Sequence, residues 1–300
     1  MNIAFCVNRL GLIGLGVTIT SLVRNCSLTE KLNLYFLCAY LPAKDKIHIS
    51  DILNQENFNG KHFFLDFDPI SIFTSFRSLH GDLTPYGIFL LPDLISESSV
   101  LYLDSDMVVE LDVLELDNYV FQEKALAAVH SGRLRTEYEY DFFINKLGLA
   151  PNLPSFNSGV VLFNLDHWRF HNLKQRCLDF GKVYSNELKT ADQTILNANF
   201  AGNFSKLPAW FNCEWHATQD KPEVSRRCIM HFIGSPKPWD LWGRFIHRGF
   251  STWKKYSNEG WEYEYGGFSI GNLKRTWRLR RSYVRVIKNR IRSAKITTNG

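Results

Sequence analysis

The amino-acid sequence predicts an α/β fold built around a sheet that contains parallel strands. Short apolar runs typical of strands alternate along the chain with segments of helical periodicity, the pattern of a parallel sheet covered by helices. The 300 residues are 45% hydrophobic and 14% aromatic, which is enough for one large core and far too apolar for a disordered chain. We therefore expect one main globular domain.

The first half of the chain alternates predicted strands and helices. Residues 2–7 and 32–39 are short apolar runs, and the segment between them repeats Leu, Val and Ile at helical spacing. The run at 100–103 has the character of a buried strand and stops at two aspartates. Strands are predicted at 2–7, 32–39, 62–65 and 100–103, and helices at 11–25 and 86–94.

The second half continues this alternation and then changes character. Strands are predicted at 125–129, 156–164 and 228–232, and helices at about 167–184 and 191–199. The segment beyond Pro208 is rich in Trp, Pro and Gly. A break in composition near residues 266–272 predicts a domain at 1–265 followed by a basic tail at 266–300.

The tail accounts for the formal net charge of +5. Residues 274–295 contain ten Lys and Arg, and no acidic residue follows Asn272, so the rest of the chain has 25 basic against 30 acidic residues. The tail predicts an amphipathic helix lying on an anionic membrane surface, and a solvated or frayed basic terminus is the alternative. Its apolar stripe follows spacings of seven, three and four residues through Trp277, Val284, Ile287 and Ile291.

Cysteine spacing and hydropathy bear on the cellular compartment. The six cysteines are scattered without a C-x-x-C pair, which indicates reduced thiols rather than a zinc cluster or a disulfide framework. The apolar run at 10–23 is interrupted by polar residues and glycines, lacks a signal-peptide cleavage site and is too short to span a bilayer. We expect a cytoplasmic protein, peripheral on the inner face of the membrane.

Two aspartates follow the predicted strand at 100–103. Asp104 and Asp106 are two residues apart in extended chain, so their carboxylates project to the same side and can converge on one Mn²⁺ or Mg²⁺ ion. Ligands of open α/β sheets gather at the carboxyl ends of strands, where this pair falls. Asp66 and Asp68 have the same spacing, but Pro69 follows at once and predicts a strand end and a turn instead.

A distant segment offers side chains that complement these carboxylates. His231 ends a predicted strand and can complete a metal site, although a single histidine of this kind is more often a core residue. Gly234 allows backbone to approach a phosphate, and Lys237 can reach the same phosphates as a point charge. Their combination favours a metal-dependent diphosphate site.

Taken in order, these motifs resemble the family 8 glycosyltransferases, and among them the bacterial galactosyl- and glucosyltransferases of lipopolysaccharide and lipooligosaccharide core synthesis. The resemblance runs from Met1 to about Trp239. It rests on five segments: residues 2–8 (NIAFCVN), 101–106 (LYLDSD), 156–160 (FNSGV), 191–197 (ADQTILN) and 231–239 (HFIGSPKPW).

The resemblance implies a fold, a donor and a cofactor. The fold is the nucleotide-sugar-binding GT-A type, a single Rossmann-like domain, here followed by the basic helical tail. The reaction is transfer of a hexose, galactose or glucose, from a UDP-sugar with retention of anomeric configuration. The acceptor is an oligosaccharide or a lipid-linked glycan. Mn²⁺ or Mg²⁺ is implied at Asp104, Asp106 and His231.

The resemblance also implies roles for individual residues. Gly234 and Lys237 look like contacts of the diphosphate. Asn157, Asp192 and Gln193 look like the residues around the donor sugar and the reacting centre. An amide oxygen at Gln193 could face an oxocarbenium-like centre, and Asp192 could hold sugar hydroxyls.

Three positions depart from the family pattern. Asn8 stands where an acidic residue usually meets the nucleotide base, and it can still hydrogen-bond uracil without charge. Ile88 replaces an arginine that usually contacts the donor, and His130 stands where some members have an Asp near the acceptor pocket. The departures at Asn8 and Ile88 keep open an alternative, a catalytically inactive glycosyltransferase-like assembly subunit.

Two other classes of protein fit the sequence poorly. Gly11, Gly14 and Gly16 suggest a dinucleotide-binding dehydrogenase, but their spacing is G-x-x-G-x-G and the second strand does not end at the acidic residue that a ribose needs. The basic tail suggests a nucleic-acid-binding protein, but the body is acidic and carries no nucleic-acid module. We expect no nucleic-acid partner.

Overall fold

The computed structural model describes residues 1–267 and 270–297, with the side chains of 1–267 and 271–289. Within these residues the strands form a seven-stranded and a three-stranded sheet. The strands are β1 (Asn2–Val7), β2 (Asn33–Ala39), β3 (Lys61–Phe67), β4 (Ser99–Leu103), β5 (Met107–Val109), β6 (Leu126–Arg133), β7 (Pro154–Asn164), β8 (Ser205–Leu207), β9 (Cys213–Glu214) and β10 (Ile229–His231).

Helices cover both sheets and form the C-terminal region. They are α1 (Leu12–Asn25), α2 (Ala43–Gln55), α3 (Pro69–Phe73), α4 (Leu91–Leu94), α5 (Leu165–Phe170), α6 (Leu173–Val183), α7 (Asp192–Phe200), α8 (Gly243–Ile246), α9 (Phe250–Lys254), α10 (Glu259–Gly266) and α11 (Ile270–Thr297).

The large sheet has the order β3-β2-β1-β4-β7-β6-β8. β3, β2, β1 and β4 are parallel, β7 runs antiparallel to both of its neighbours, and β6 and β8 are parallel to each other. Apolar side chains pack on both faces of the sheet in two separate clusters. The predicted α/β fold with parallel strands is therefore confirmed.

The small sheet joins three short strands from distant parts of the chain. β10 pairs antiparallel with β5 and parallel with β9, which places His231 opposite Met107. Of these strands the sequence predicted only β10. Two or three residues are too few for the alternation that marks a strand.

Helix α1 lies in the interior and uses its glycines for close packing. A Cβ on Gly14 would stand 2.4 Å from the Ser105 carbonyl oxygen, and a Cβ on Gly16 would stand 2.3 Å from the indole nitrogen of Trp261 in α10. These glycines bring α1 against the loop after β4 and against α10. They do not form a dinucleotide loop. Residues 12–23 of the apolar run at 10–23 are thus buried in the core, whereas Leu10 is exposed.

Two predicted helices differ from the observed ones. The segment predicted as a helix at 86–94 begins as a 3₁₀ helix, Thr84–Leu90, which leads into α4. The helix predicted at about 167–184 is two helices, α5 and α6, because Asn172 between them adopts a left-handed backbone conformation with φ of 49°.

The C-terminal helices pack on the body to different degrees. Trp261 of α10 donates to the Leu12 carbonyl at 2.7 Å. In α11, Tyr283 and Val286 are buried, whereas Trp277 is 70% exposed. Residues 268–269 and 298–300 of the predicted tail, and the side chain of Ile291 in its apolar stripe, lie outside the described residues. Among the described residues, no helix combines the length and the hydropathy needed to cross a bilayer.

Candidate functional site

The order of the strands creates a crevice at the carboxyl ends of β1 and β4. The chain runs outward from β1 to β2 and β3 and then returns to the other side of β1 as β4. Open α/β sheets bind ligands at such a switch in strand order. Asn8 follows β1 directly and Asp104 follows β4 directly, so both lie at this crevice.

Asp104, Asp106 and His231 meet there in one cluster. Their ligand atoms all lie within 4.8 Å of one another. His231 Nε2 is 3.1 Å from Asp106 Oδ1 and 3.6 Å from Asp104 Oδ2. The two aspartates flank the crossing from the large sheet to the small one, and His231 reaches them from β10.

The backbone of β7 packs closely against one side of this cluster. A Cβ on Gly159 of β7 would stand 2.4 Å from His231 Cε1 and 2.8 Å from Asp104 Oδ2. Asp104 N donates to the Gly159 carbonyl at 2.9 Å. Thr18 of α1 holds the backbone on both sides of Asp106, because its hydroxyl lies 3.0 Å from the carbonyls of Ser105 and Met107.

A chain of amides orients the imidazole of His231. His231 Nδ1 lies 3.1 Å from Asn212 Oδ1, so Nδ1 carries the proton and Nε2 turns toward the carboxylates. Asn212 Nδ2 in turn donates to Asn157 Oδ1 at 3.0 Å. Asn157 Nδ2 and Ser158 N both donate to Gln193 Oε1 at 3.2 Å. Asn157 and Gln193 are therefore connected to the histidine of the cluster.

Burial and neighbouring charges shift the pKa values of all three cluster residues, and the paired carboxylates favour a positive charge beside them. Burial, followed by the neighbouring Asp106 carboxylate, raises the pKa of Asp104. Burial acts to raise the pKa of Asp106 as well, but Lys237 and His231 outweigh it and lower that pKa. Burial acts to lower the pKa of His231, but Asp106 and then Asp104 raise it above its usual value.

Lys237 contacts the cluster directly, and Gly234 stands three residues before it in the loop after β10. Lys237 Nζ is 2.5 Å from Asp106 Oδ2 and also donates to the Phe232 carbonyl. Gly234 has φ of 68°, a conformation that favours glycine, and a Cβ there would stand 2.8 Å from His216 Cδ2. Burial, followed by the charges of Arg285 and Lys237, lowers the pKa of His216.

Asp192 is buried at the start of α7. Burial, followed by the charge of Asp104, raises the pKa of Asp192 to about 8. The Ser158 hydroxyl acts in the opposite direction. Asp192 thus lies near Asp104, and Gln193 follows it on the same helix.

Asn8 lies at the crevice, whereas Ile88 does not reach it. Asn8 Oδ1 accepts from Leu10 N and Gly11 N, and its Nδ2 donates to Asp82 Oδ2 at 2.7 Å and to the Thr84 hydroxyl at 3.0 Å. The amide of Asn8 therefore shapes the loop after β1, and its contact with a base stays a prediction. Ile88 is fully buried in the core.

His130 and the second aspartate pair lie in other surroundings. His130 is exposed on β6, and its Nε2 lies 2.6 Å from the Gly132 carbonyl oxygen. Asp66 is in β3 and forms a 2.6 Å ion pair with Lys46, whereas Asp68 caps α3. The predicted strand end is confirmed, and a short helix follows it in place of a turn.

Asp45, His48 and Glu264 form a second cluster of possible metal ligands. Its carboxylates already form ion pairs with basic side chains of the protein. Arg9 NH1 lies 2.6 Å from both oxygens of the buried Asp45 carboxylate, and Arg9 NH2 lies 3.2 Å from Glu264. Tyr265 donates to Asp45 and lies 2.8 Å from His48 Nδ1. This network ties α10 to the loop after β1.

Several of these supporting residues were not predicted from the sequence. Thr18 and Asn212 contact the cluster and its adjoining backbone from distant segments, and His216 packs against Gly234. None of the three lies in a motif that marks such a role. Tyr102 could have been found. It stands two residues before Asp104 on the same face of a strand, and its hydroxyl donates to Asp104 Oδ1 at 2.8 Å.

Curated relatives are distant in sequence. The lipopolysaccharide 1,3-galactosyltransferase of Salmonella typhimurium is 24% identical over 276 residues, which are 87% of this chain and 79% of that protein. Glycosyltransferase GlyE of Streptococcus pneumoniae serotype 4 is 28% identical over 193 residues, or 61% of this chain. The match covers only 43% of GlyE, so the chain corresponds to less than half of that relative.

Solved structures and a family model give the broader assignment. The galactosyltransferase LgtC, solved with donor and acceptor sugar analogs, has a TM-score of 0.73 and 22% identity to this chain, covering 87% of this chain and 99% of LgtC. The fold is therefore the predicted GT-A type. Residues 2–243, which carry both sheets and the cluster between them, match the model of glycosyl transferase family 8, and the protein belongs to that family.

Proposed function

We propose that this glycosyltransferase is a metal-dependent, retaining hexosyltransferase that transfers galactose or glucose from a UDP-sugar to a glycan. The observation that carries the proposal is the cluster of Asp104, Asp106 and His231 with the Lys237 ammonium 2.5 Å away. Carboxylates that converge beside a lysine at the ligand-binding edge of the sheet suit a donor diphosphate with its cation.

The residues of the cluster fit a Mn²⁺ or Mg²⁺ ion. They offer carboxylate oxygens and one imidazole nitrogen, a donor set that suits Mn²⁺ and, with its oxygens, Mg²⁺. Asp106 Oδ1 is buried and accepts no well-aligned hydrogen bond from the described residues, so a lone pair is left for a cation. Asn212 accepts from His231 Nδ1, so Nε2 is the nitrogen of that ring that can bind a cation.

The reaction needs stabilisation of the leaving diphosphate. A bound divalent ion supplies positive charge to it, in the role of a Lewis acid. Lys237 adds a second charge and donates hydrogen bonds to the phosphate oxygens. Gly234 supports this proposal because its left-handed backbone and its missing side chain let the chain approach a phosphate closely.

Three residues are proposed to surround the donor sugar. Asp192, buried near Asp104, is placed to accept hydrogen bonds from sugar hydroxyls. Asn157 and Gln193 are joined by a 3.2 Å hydrogen bond beside the cluster. Gln193 Oε1 already accepts two hydrogen bonds, so presenting that oxygen to the reacting centre requires Gln193 to release one of them.

We propose a lipid-linked glycan or oligosaccharide as the acceptor, reached at the inner face of the membrane from the cytoplasm. One relative is named for lipopolysaccharide synthesis, which supports this acceptor class. Exposed apolar side chains beside a basic helix support the membrane contact. They lie at the start of α8 and on α11, at Trp242, Phe245, Leu273, Trp277, Val284 and Ile287.

The alternative is an inactive assembly subunit with the same fold. It is suggested by Ile88, whose burial removes it from any donor contact, and by Asn8, whose amide is engaged within the protein. The intact cluster of Asp104, Asp106 and His231 favours the enzyme, because a subunit without activity has no need to keep buried carboxylates poised for a cation.

The experiment combines nucleotide binding with a donor screen. Calorimetry with Mn²⁺ is expected to show UDP binding far more tightly than GDP or CMP. A screen of hydrolysis and transfer with UDP-glucose, UDP-galactose and UDP-N-acetylglucosamine is expected to identify a hexose donor. Full activity after EDTA treatment would contradict the metal proposal, and equal binding of GDP would contradict the donor proposal.

A further inference from the structure

Helix α11 contacts the body of the protein through an ion pair with Asp240. Arg275 Nε lies 2.6 Å from Asp240 Oδ1, and Arg275 NH2 lies 3.3 Å from Asp240 Oδ2. The Asp240 side chain is only 5% exposed, and the Arg275 side chain is 41% exposed. A buried carboxylate with a two-point arginine contact is a strong and directional link.

The same carboxylate holds the backbone of Lys237. Lys237 N donates to Asp240 Oδ2 at 2.7 Å, and Asp240 N donates back to the Lys237 carbonyl at 3.2 Å. Gly243 packs against this turn, since a Cβ there would stand 2.5 Å from the Lys237 carbonyl oxygen and 2.1 Å from that of Pro238. Asp240 therefore lies between α11 on one side and Lys237 on the other.

We propose that Asp240 is a positioning residue through which α11 sets the place of the Lys237 ammonium, and so tunes affinity for the diphosphate of the donor. This inference rests on the proposed function of Lys237. It adds that the basic tail is part of the donor site, connected to it by the path from Arg275 through Asp240 to Lys237.

Asp240 loses two of the three hydrogen bonds that its side chain accepts from the described residues when Arg275 is removed. Only the N–H of Lys237 then remains among the side-chain hydrogen bonds of Asp240 in the described residues, and a buried carboxylate with one donor draws in water or turns toward solvent. Either change loosens the turn that begins at Lys237. The ammonium, which now lies 2.5 Å from Asp106, loses its fixed position.

The helix stays attached when this one contact is removed. Tyr283 and Val286 of α11 are buried further along the helix, so loss of Arg275 does not detach it. Arg278 lies one turn away, is exposed and forms no ion pair or hydrogen bond in the described residues, which makes it a matched control for charge. The two arginines thus separate positioning from general electrostatic attraction.

The test compares UDP with UMP, because only UDP carries the phosphate that Lys237 is proposed to reach. Full-length wild type, Arg275→Gln, Arg278→Gln and Arg275→Lys are titrated with each nucleotide in Mn²⁺ by calorimetry. Arg275→Gln is expected to weaken UDP binding by about tenfold and UMP binding by less than about twofold. Arg278→Gln is expected to change neither, and Arg275→Lys to fall between.

A second variant guards against misfolding. Asp240→Asn keeps an acceptor for Lys237 N but loses the charge that attracts Arg275, and it is expected to show the same selective loss of UDP affinity. The double variant with Arg275→Gln is expected to be no worse than either single change.

Two outcomes overturn the coupling. One is unchanged UDP affinity in folded Arg275→Gln, and the other is an equal loss of UDP and UMP affinity, which indicates a structural role only. Absence of UDP binding by the wild type would instead refute the proposed function, and the coupling with it.

Discussion

The carboxylates of the cluster differ in what surrounds them, although they are two residues apart. Asp104 accepts a hydrogen bond from the Tyr102 hydroxyl, whereas Asp106 forms an ion pair with the ammonium of Lys237. Each offers a different oxygen toward His231. We expect Asp104→Ala or Asp106→Ala to lower transfer by at least about 10³-fold, because either change leaves the cation under-coordinated beside the diphosphate. Initial rates with a saturating donor measure the loss.

Asp66→Ala is the matched control for this change. Asp66 has the same spacing to a second aspartate but forms a surface ion pair with Lys46. Such pairs contribute about 0–1 kcal/mol, so activity and stability should stay near those of the wild type. A rate for Asp106→Ala close to that of Asp66→Ala would contradict the assignment of the metal site.

Asn212 offers a test of the amide chain behind His231. Asn212→Ala removes the acceptor of His231 Nδ1 and leaves the ring free to rotate or to change tautomer. We expect Mn²⁺ affinity to fall by about 10- to 100-fold while the fold is kept. Titration of Mn²⁺ followed by paramagnetic resonance measures this, with the exposed Asn186→Ala as control. Equal affinities in the two variants would argue against it.

Asp192 gives a prediction of pH dependence. Its pKa in the folded protein is raised to about 8, above the value of about 3.9 in an unfolded chain. The folded state therefore holds a proton that the unfolded state has released, and this group lowers the free energy of unfolding as pH rises from about 4 to about 8. We expect Asp192→Asn to remove that part of the dependence.

Melting temperatures of metal-free protein at about pH 5 and about pH 8 measure the effect of Asp192. The wild type should lose more stability over this interval than Asp192→Asn, while the exposed Asp179→Asn should follow the wild type. Parallel curves for all three proteins would contradict the raised pKa.

The sequence predicted the side chains that could act in chemistry, and the structure supplied those that orient them. Asp104, Asp106, His231 and Lys237 come together as the motifs indicated. Asn212 could not be singled out, because its role depends on a hydrogen bond to His231 in β10, a strand of only three residues. Contacts of this kind follow from tertiary packing and leave no local pattern.

At the scale of elements, α11 divides its surface between the body and solvent. Tyr283 and Val286 face the body, and Leu273, Trp277 and Ile287 are exposed. We expect a variant with Leu273, Trp277 and Ile287 each changed to Ser to bind anionic liposomes at least about tenfold more weakly. Co-sedimentation with vesicles measures this, and activity on a short soluble acceptor should be retained.

Substitution is a cleaner test of the membrane contact than removal of the tail. Deleting the chain from Asn272 onward would also remove Arg275, which binds Asp240. Phe170→Ser is the control, since Phe170 on α5 is apolar and more exposed than each of the three substituted residues. Equal sedimentation of the triple variant and the wild type at physiological salt would refute the membrane contact.

Long elements were predicted more reliably than short ones, for a physical reason. β1, α1 and β2 each span at least six residues and bury most of their length, so each carries several apolar residues at strand or helix spacing. α2 was missed because its apolar positions are few and separated by polar residues. β5 and β9 take their conformation from pairing with distant strands rather than from local preference.

At the scale of the whole molecule, the site joins parts that are otherwise packed separately. Asp104 directly follows a strand of the large sheet, and His231 ends a strand of the small one. The chain crosses between the sheets within Asp104, Ser105 and Asp106. The sequence predicted one domain with an α/β sheet. It did not predict the second sheet, whose existence depends on residues 107–109 and 229–231 meeting across a long separation.

The joining of two sheets at one cluster has a consequence for hydrogen exchange. β5, β9 and β10 form the small three-stranded sheet. Local opening of this sheet separates His231 from Asp104. A cation that holds both residues must leave before the sheet opens. Amide protons of Val108 and Met230 should therefore exchange about 100-fold more slowly at a Mn²⁺ concentration of about 100 times Kd, while those at the far edge in β3 change little. Equal slowing of amide exchange in both sheets would contradict local stabilisation of the small sheet by the cation.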